Sequence, residues 1–152
     1  MSRMTTLGLG LAFTFTFTFA TASGAVLAQS VARTPLPADH PLVGTWKLAL
    51  PATTCSELYR IKADGSTQVT SGAQTVETDF NVALKQSGYG FYKWVDTVTA
   101  QNGQADCTGR KIETGHVATN YAIFNRDDSE FLLCAAEDIN TCVGPFVRQQ
   151  GK

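Results

Sequence analysis

The 152-residue chain is poor in the residues that build metal and catalytic sites. It has only two histidines, His40 and His116, and its four cysteines include no Cys-x-x-Cys pair. Zinc sites need closely spaced ligands of these types, so we expect neither a metal nor a cofactor. No Gly-x-Ser-x-Gly motif offers a serine nucleophile, and we expect no catalytic residues and no enzymatic activity.

An excess of charge of one sign is also missing. Twelve Lys and Arg residues face thirteen Asp and Glu residues, and the basic ones form no stripe along the sequence. Nucleic-acid binding depends on clustered positive charge, so a nucleic-acid partner is not expected. No apolar stretch after the N-terminal region is long enough to cross a bilayer, so the mature chain is expected to have no membrane span.

The first 28 residues have the pattern of a secretory signal peptide. Arg3 precedes an apolar stretch over residues 7–20, and small residues follow that stretch. The Val-Leu-Ala sequence at residues 26–28 fits a signal-peptidase site, which predicts cleavage before Gln29. We therefore expect a periplasmic or secreted protein.

The remainder of the chain consists of an arm and one domain. Residues 29–42 are polar and contain three prolines, which predicts an extended and mobile N-terminal arm. Residues 43–149 have the length of a single domain, and we expect a monomer.

Eight short segments of that domain alternate between apolar and polar residues. A period of two is typical of half-buried strands. The predicted strands cover 44–50, 57–63, 66–71, 75–82, 89–99, 117–124, 130–134 and 142–148. Most links between them are short, which favours up-and-down pairing. We predict an all-β fold, a single antiparallel up-and-down barrel of about eight strands, with a β-sandwich as the alternative. Pro145 cannot donate a ladder hydrogen bond, so the last strand should lie at an edge or contain a bulge.

The two ends of this domain carry a recognisable combination of residues. Gly44 and Trp46 open the first predicted strand, and Arg148 ends the last one, two residues after Phe146. This pattern resembles the calycins, which comprise lipocalins, intracellular lipid-binding proteins and avidin-like barrels. The resemblance implies a barrel with Trp46 buried at its closed end beneath the Arg148 side chain, and structural roles for Gly44, Trp46 and Arg148.

The residues predicted to point into the barrel are mostly aromatic or aliphatic. In a small barrel they either fill the lumen or line a pocket for one small ligand. Trp and Tyr side chains suit an apolar or aromatic ligand that has a polar handle. The candidate ligand-binding residues are Tyr59, Ile61, Phe80, Tyr92, Trp94, Tyr121 and Phe131. The longer links follow strands 44–50, 89–99 and 130–134, so a ligand is expected to enter at the rim that bears them.

The four cysteines are an even set in an exported chain, which predicts two disulfides. Up-and-down pairing places Cys55, Cys107, Cys134 and Cys142 at the same rim as the longer links. Because the last strand lies beside the first, the topology favours Cys55–Cys142 with Cys107–Cys134. The alternative is Cys134–Cys142 with Cys55–Cys107.

Two other classes of function compete with a ligand-binding barrel. Periplasmic inhibitors of bacterial metalloproteases are similar in having a Gly-x-Trp barrel, an extended N-terminal arm and a Cys soon after the Trp, here Cys55. That similarity implies an interaction protein with a filled barrel and a protein partner. An enzyme using Asp96 or His116 is the other hypothesis, and it requires a cleft that gathers those side chains.

Overall fold

The computed structural model describes residues 32–51 and 53–150, so the predicted signal peptide lies outside the described residues. Within these ranges the chain forms eight strands and one short 3-10 helix, Ile139–Thr141. The strands are β1 (Gly44–Ala49), β2 (Ser56–Ile61), β3 (Ser66–Ser71), β4 (Gln74–Val82), β5 (Tyr92–Gln101), β6 (Val117–Phe124), β7 (Glu130–Cys134) and β8 (Cys142–Gln149).

The strands form one closed barrel in which each pairs antiparallel with its neighbours in sequence. β8 closes the sheet by pairing with β1, so that Trp46 lies opposite Arg148. Closure leaves no sheet edge unpaired, which is how a small all-β domain avoids edge-to-edge association. The predicted up-and-down barrel is confirmed, and the sandwich alternative is wrong. For the strand that contains Pro145 an edge or a bulge was predicted. The barrel is closed, and the β7–β8 ladder is irregular between Phe131 and Leu133, close to Pro145.

Trp46 and Arg148 organise one end of the barrel, called here the closed end. The Trp46 side chain is fully buried, and the Arg148 Cζ atom lies 4.1 Å from the centre of its ring. The Arg148 guanidinium also donates to the backbone oxygens of Pro41, Val43 and Asp128. The cation contacts the Trp46 ring of β1 and bonds to backbone oxygens of the arm, of Val43 just before β1 and of the β6–β7 turn, so it joins these segments. The predicted contact is confirmed.

Gly44 allows this arrangement because it has no side chain. A Cβ atom added at Gly44 would lie 2.7 Å from Nη1 of Arg148, and its φ of 144° is a conformation that L side chains rarely adopt. The glycine of the Gly-x-Trp pattern therefore leaves the space that the guanidinium occupies.

The described part of the arm packs on the barrel, which corrects the expectation that this part is mobile. Backbone N–H groups of Thr34 and Leu36 donate to the oxygens of Phe80 and Ala63, at 2.9 and 2.8 Å. Leu36 and Leu42 are buried in the core. The arm thus covers the closed end and excludes water from it.

The disulfides are Cys55–Cys107 and Cys134–Cys142, so the favoured pairing was wrong and the alternative holds. Cys134 and Cys142 are direct cross-strand partners at the start of the β7–β8 ladder. Cys107 lies in the β5–β6 segment, which folds across the barrel mouth, where the Cys107 N–H donates to the Ser71 side chain. This path carries Cys107 away from β7 and towards Cys55.

Two disulfides are typical of proteins that mature in an oxidising compartment. In the described ranges, no helix combines the length and apolar character that crossing a bilayer would require.

Candidate functional site

The half of the barrel next to the closed end is solid. Trp46 packs edge-on against Phe131, with ring centres 4.8 Å apart, and Phe131 stacks on Phe146 at 4.5 Å. Phe80 and Trp94 meet edge-on at 5.9 Å on the other side of the barrel. These rings leave no room for a ligand at this level, because interlocking aromatic side chains pack at the density of a protein interior.

The other half of the barrel, called here the open half, contains a cavity of about 270 Å³. The inward side chains there are small: valines and alanine form much of the wall, and Thr78, Asp96 and Asn120 supply polar groups. The apolar lining consists of Val69, Val76, Val98, Ala118 and Leu133. A neighbouring cavity of about 450 Å³, under the β1–β2 and β7–β8 loops, shares Tyr59 and Leu133 with it. The barrel is therefore hollow in the half where its inward side chains are small.

Glu57 forms a closed hydrogen-bond network on one wall of this lumen cavity. Its Oε2 atom accepts the hydroxyl proton of Tyr59 at 2.6 Å, and its Oε1 atom accepts that of Ser71 at 2.7 Å. Burial, reinforced by the Glu57 carboxylate, raises the pKa of Tyr59 well above its ordinary value, so the phenol stays a donor. Both oxygens of Glu57 are thus engaged by protein groups.

Asp96, on the other side of the lumen cavity from Glu57, differs from Glu57 in its surroundings. β4 places Phe80 beside Asp96 and β6 places Ala118 on its other side, so the carboxyl group is held among apolar neighbours. Removal from water raises the pKa of Asp96 to about 6, and the nearby His116 offsets this only in part. No hydrogen bond to the Asp96 side chain and no ion pair with it is formed among the described residues.

Thr78 and Asn120 lie on the strands that flank Asp96, on the same cavity wall. The Thr78 side chain is only 5% exposed, and its Oγ1 atom has no hydrogen-bond partner within the described part of the chain. That atom has almost no accessible surface, so its hydroxyl is not open to a ligand in the cavity. The cavity wall thus offers the side-chain oxygens of Asp96 and Asn120 next to apolar residues.

The β5–β6 segment forms the mouth. The Asp106 side chain accepts hydrogen bonds from the backbone of Thr108 and Arg110, which fixes the turn there. Gln74 donates to the backbone oxygens of Gln104 and Arg110, and the Cys55–Cys107 disulfide ties the segment to the β1–β2 loop. Loop residues at the rim that bears the longer links therefore line the cavity and are held in place, and entry of a ligand at this rim stays a prediction.

The seven predicted ligand-binding residues do not form one pocket. Tyr59 lines the lumen cavity. Four lie in the packed core of the barrel: Ile61, Phe80, Trp94 and Phe131. Tyr92 packs on His40 and Phe124 at the closed end, where the His40 and Tyr92 ring centres are 4.9 Å apart.

Tyr121 is on the outer face of β6, so its predicted inward orientation was wrong. β6 pairs Asn120 with Trp94 and Ala122 with Tyr92, and these residues share the inner face. Because side chains alternate along a strand, Tyr121 points outward.

Several cavity residues were absent from the sequence-based prediction: Glu57, Ser71, Thr78, Asp106, Arg110 and Asn120. Glu57 and Thr78 had a usable signal, since alternation places them on the same faces as Tyr59 and Phe80. The loop residues Asp106 and Arg110 had none, because nothing in their spacing shows where the loop folds.

A second depression, the outer groove, lies on the outside of the barrel. It has a volume of about 280 Å³, and Ile123, Leu132, Ile139 and Pro145 contribute to its lining. None of the buried unpartnered polar atoms identified in the described chain belongs to its lining, so it lacks the feature that distinguishes the lumen.

Comparison of the chain with protein-family models, curated proteins and solved structures yields no match. The eight-stranded closed barrel is compatible with a calycin-like fold through its architecture and the Trp46–Arg148 contact. Function must therefore be argued from the lumen itself.

Proposed function

We propose that this protein is an exported, calycin-like binding protein that holds one small ligand in the open half of its barrel. The observation that supports this proposal is the lumen cavity, where Asp96 forms no ion pair or side-chain hydrogen bond with the described residues and lies beside an apolar wall. Its volume of about 270 Å³ is close to the lower end of the usual range for ligand sites, so the ligand is compact.

We favour binding over catalysis for these side chains. The lumen cavity does gather Asp96 and His116, as the enzyme hypothesis requires, but Cys107 is bonded to Cys55 and offers no thiolate nucleophile beside them. The tethered mouth favours a preformed site, which lowers the entropy lost when a ligand binds. Export is supported by the two disulfides together with the predicted signal peptide.

The competing proposal is an interaction protein such as a periplasmic protease inhibitor. An inhibitory arm must be free to enter a partner, whereas Arg33, Thr34 and Leu36 are bonded to or buried against the barrel. That proposal also implies a filled barrel, whereas the open half of this barrel contains the lumen cavity. Both observations favour the small-ligand proposal.

Native mass spectrometry of the exported protein tests the proposed function. We expect wild-type protein, recovered directly or exposed to a panel of small amines, alcohols and carboxylates, to carry one bound molecule. Ala118→Phe, which fills the cavity, should abolish this adduct. Thr119→Phe, on the exposed outer face of the same strand, should leave it intact. The proposal would be contradicted if wild-type protein retained no molecule, or retained only molecules that Ala118→Phe retains as well.

A further inference from the structure

The lumen contains a carboxyl group that forms no ion pair within the described ranges, Asp96. His116 at the mouth offsets the burial of Asp96 only in part, and Arg110, which also lines the cavity, is 80% exposed there. The Arg110 guanidinium is already engaged there, since its Nε atom donates to the Thr108 hydroxyl at 2.9 Å. An unpaired carboxylate in an apolar setting is costly, and a cation brought by a ligand would offset that cost.

The neighbours of Asp96 extend this pattern. Asn120, on the flanking strand β6, offers an amide oxygen that can accept a hydrogen bond. Glu57, in contrast, has both oxygens occupied by Tyr59 and Ser71. The free hydrogen-bonding capacity of the lumen is therefore concentrated around Asp96 and includes acceptors that match a group with several N–H donors.

We propose that the ligand of the lumen carries an amino group, bound as an ammonium ion by the Asp96 carboxylate, with the Asn120 amide oxygen as a further acceptor. This inference rests on the proposed binding function and specifies the class of its ligand. The apolar body of such an amine lies against Val76, Val98 and Leu133. An ammonium ion has three donors, which this set of acceptors can satisfy.

Binding should depend on pH, because only the ionised Asp96 attracts a cation. The pKa of Asp96 is raised to about 6 by burial, so at pH 5 roughly one tenth of the groups are ionised and affinity falls about tenfold from its value at pH 7.5. The other titratable or charged groups that line the cavity are Glu57 and Tyr59 on β2, and Asp106, Arg110 and His116 at the mouth.

Isothermal titration calorimetry with three probes of similar shape tests the inference: 2-phenylethylamine, 2-phenylethanol and phenylacetate. At pH 7.5 we expect the amine to bind wild-type protein at least tenfold more tightly than the alcohol, and phenylacetate to bind most weakly. Asp96→Asn should remove this preference by weakening the amine at least tenfold while leaving the alcohol unchanged.

Two polar residues provide the test and its control. Asn120→Leu should weaken amine binding several-fold, because it removes an acceptor from the site. Thr97→Val removes a buried hydroxyl that has no partner among the described residues, but Thr97 does not line the cavity, so amine binding should not change.

The outcomes separate this inference from the proposed function. Equal binding of amine and alcohol, or an amine affinity that survives Asp96→Asn, overturns the amine inference and leaves a ligand-binding lumen. Absence of binding by all three probes overturns both.

Discussion

Replacing Trp46 by alanine is expected to lower the free energy of unfolding by about 3–5 kcal/mol. The substitution empties the centre of the closed end, where the indole is fully buried and packs on Phe124 and Phe131. It also removes the hydrogen bond from Nε1 to the Leu42 oxygen and the ring beneath Arg148, whose contact contributes roughly 0.5–2 kcal/mol. Chemical denaturation followed by circular dichroism measures the loss.

Two control variants show whether the loss of stability is specific to the buried indole. Trp46→Phe keeps most of the buried surface and should cost clearly less than alanine. Tyr89→Ala removes an aromatic side chain that is 79% exposed, and should change stability by less than about 0.5 kcal/mol. A loss below about 1 kcal/mol for Trp46→Ala would mean that the arm and the barrel do not form one packed core at this end.

Asp96→Asn is expected to stabilise the ligand-free protein at neutral pH, by up to about 3 kcal/mol relative to its effect at pH 4. Burial raises the pKa of Asp96 from the ordinary value of 3.8 to about 6. Between these two values the folded state keeps a proton that the unfolded state has lost. Wild-type stability therefore falls as the pH rises through this window, while asparagine has no such dependence.

The measurement is the difference in unfolding free energy between variant and wild type at pH 4, 5, 6 and 7.5. It should grow across this series and level off above pH 6. Glu77→Gln, a carboxylate on the exposed outer face of the adjacent strand, is the matched control and should give a nearly constant difference. A constant difference for Asp96→Asn would show that this carboxyl group is as well solvated in the folded state as in the unfolded one.

The architecture could be predicted because its signals are local. Alternation along 75–82 gave β4 almost to the residue. The tight β2–β3 turn contains Asp64-Gly65, a sequence typical of hairpins, and Gly65 has a φ of 87° there. The Trp46–Arg148 contact followed from a resemblance that joins the two ends of the barrel. Closure then follows, because consecutive antiparallel strands with short links have few other arrangements.

The site could not be predicted as well because it depends on which face is inner and where a long loop folds. β6 carries apolar residues on both faces, so Tyr121 and Ala122 could not be distinguished by alternation. In a hollow region the inner face bears small residues, which weakens the hydrophobic signal that marks it. The path of the loop around Cys107 depends on tertiary hydrogen bonds such as those of Gln74, which reversed the preferred disulfide pairing.

The orientation of Asp96 could not be predicted from the sequence either. Its position in an aromatic strand left two orientations open, outward into water or inward into the barrel. The pairing of Asp96 with Phe80 and Ala118 places it inside, and only then do its raised pKa and missing partner become visible.

Methyl chemical-shift mapping by NMR tests most directly whether the open half of the barrel is a ligand site. On addition of 2-phenylethylamine or 2-phenylethanol, we expect saturable shifts of the Val76 and Val98 methyl groups, which line the lumen cavity. The methyl groups of Ile61, in the packed half, should stay nearly constant. Shifts confined to Ile123 and Leu132 of the outer groove, or no saturable shift at Val76 and Val98 with either compound, would contradict a binding site in the lumen.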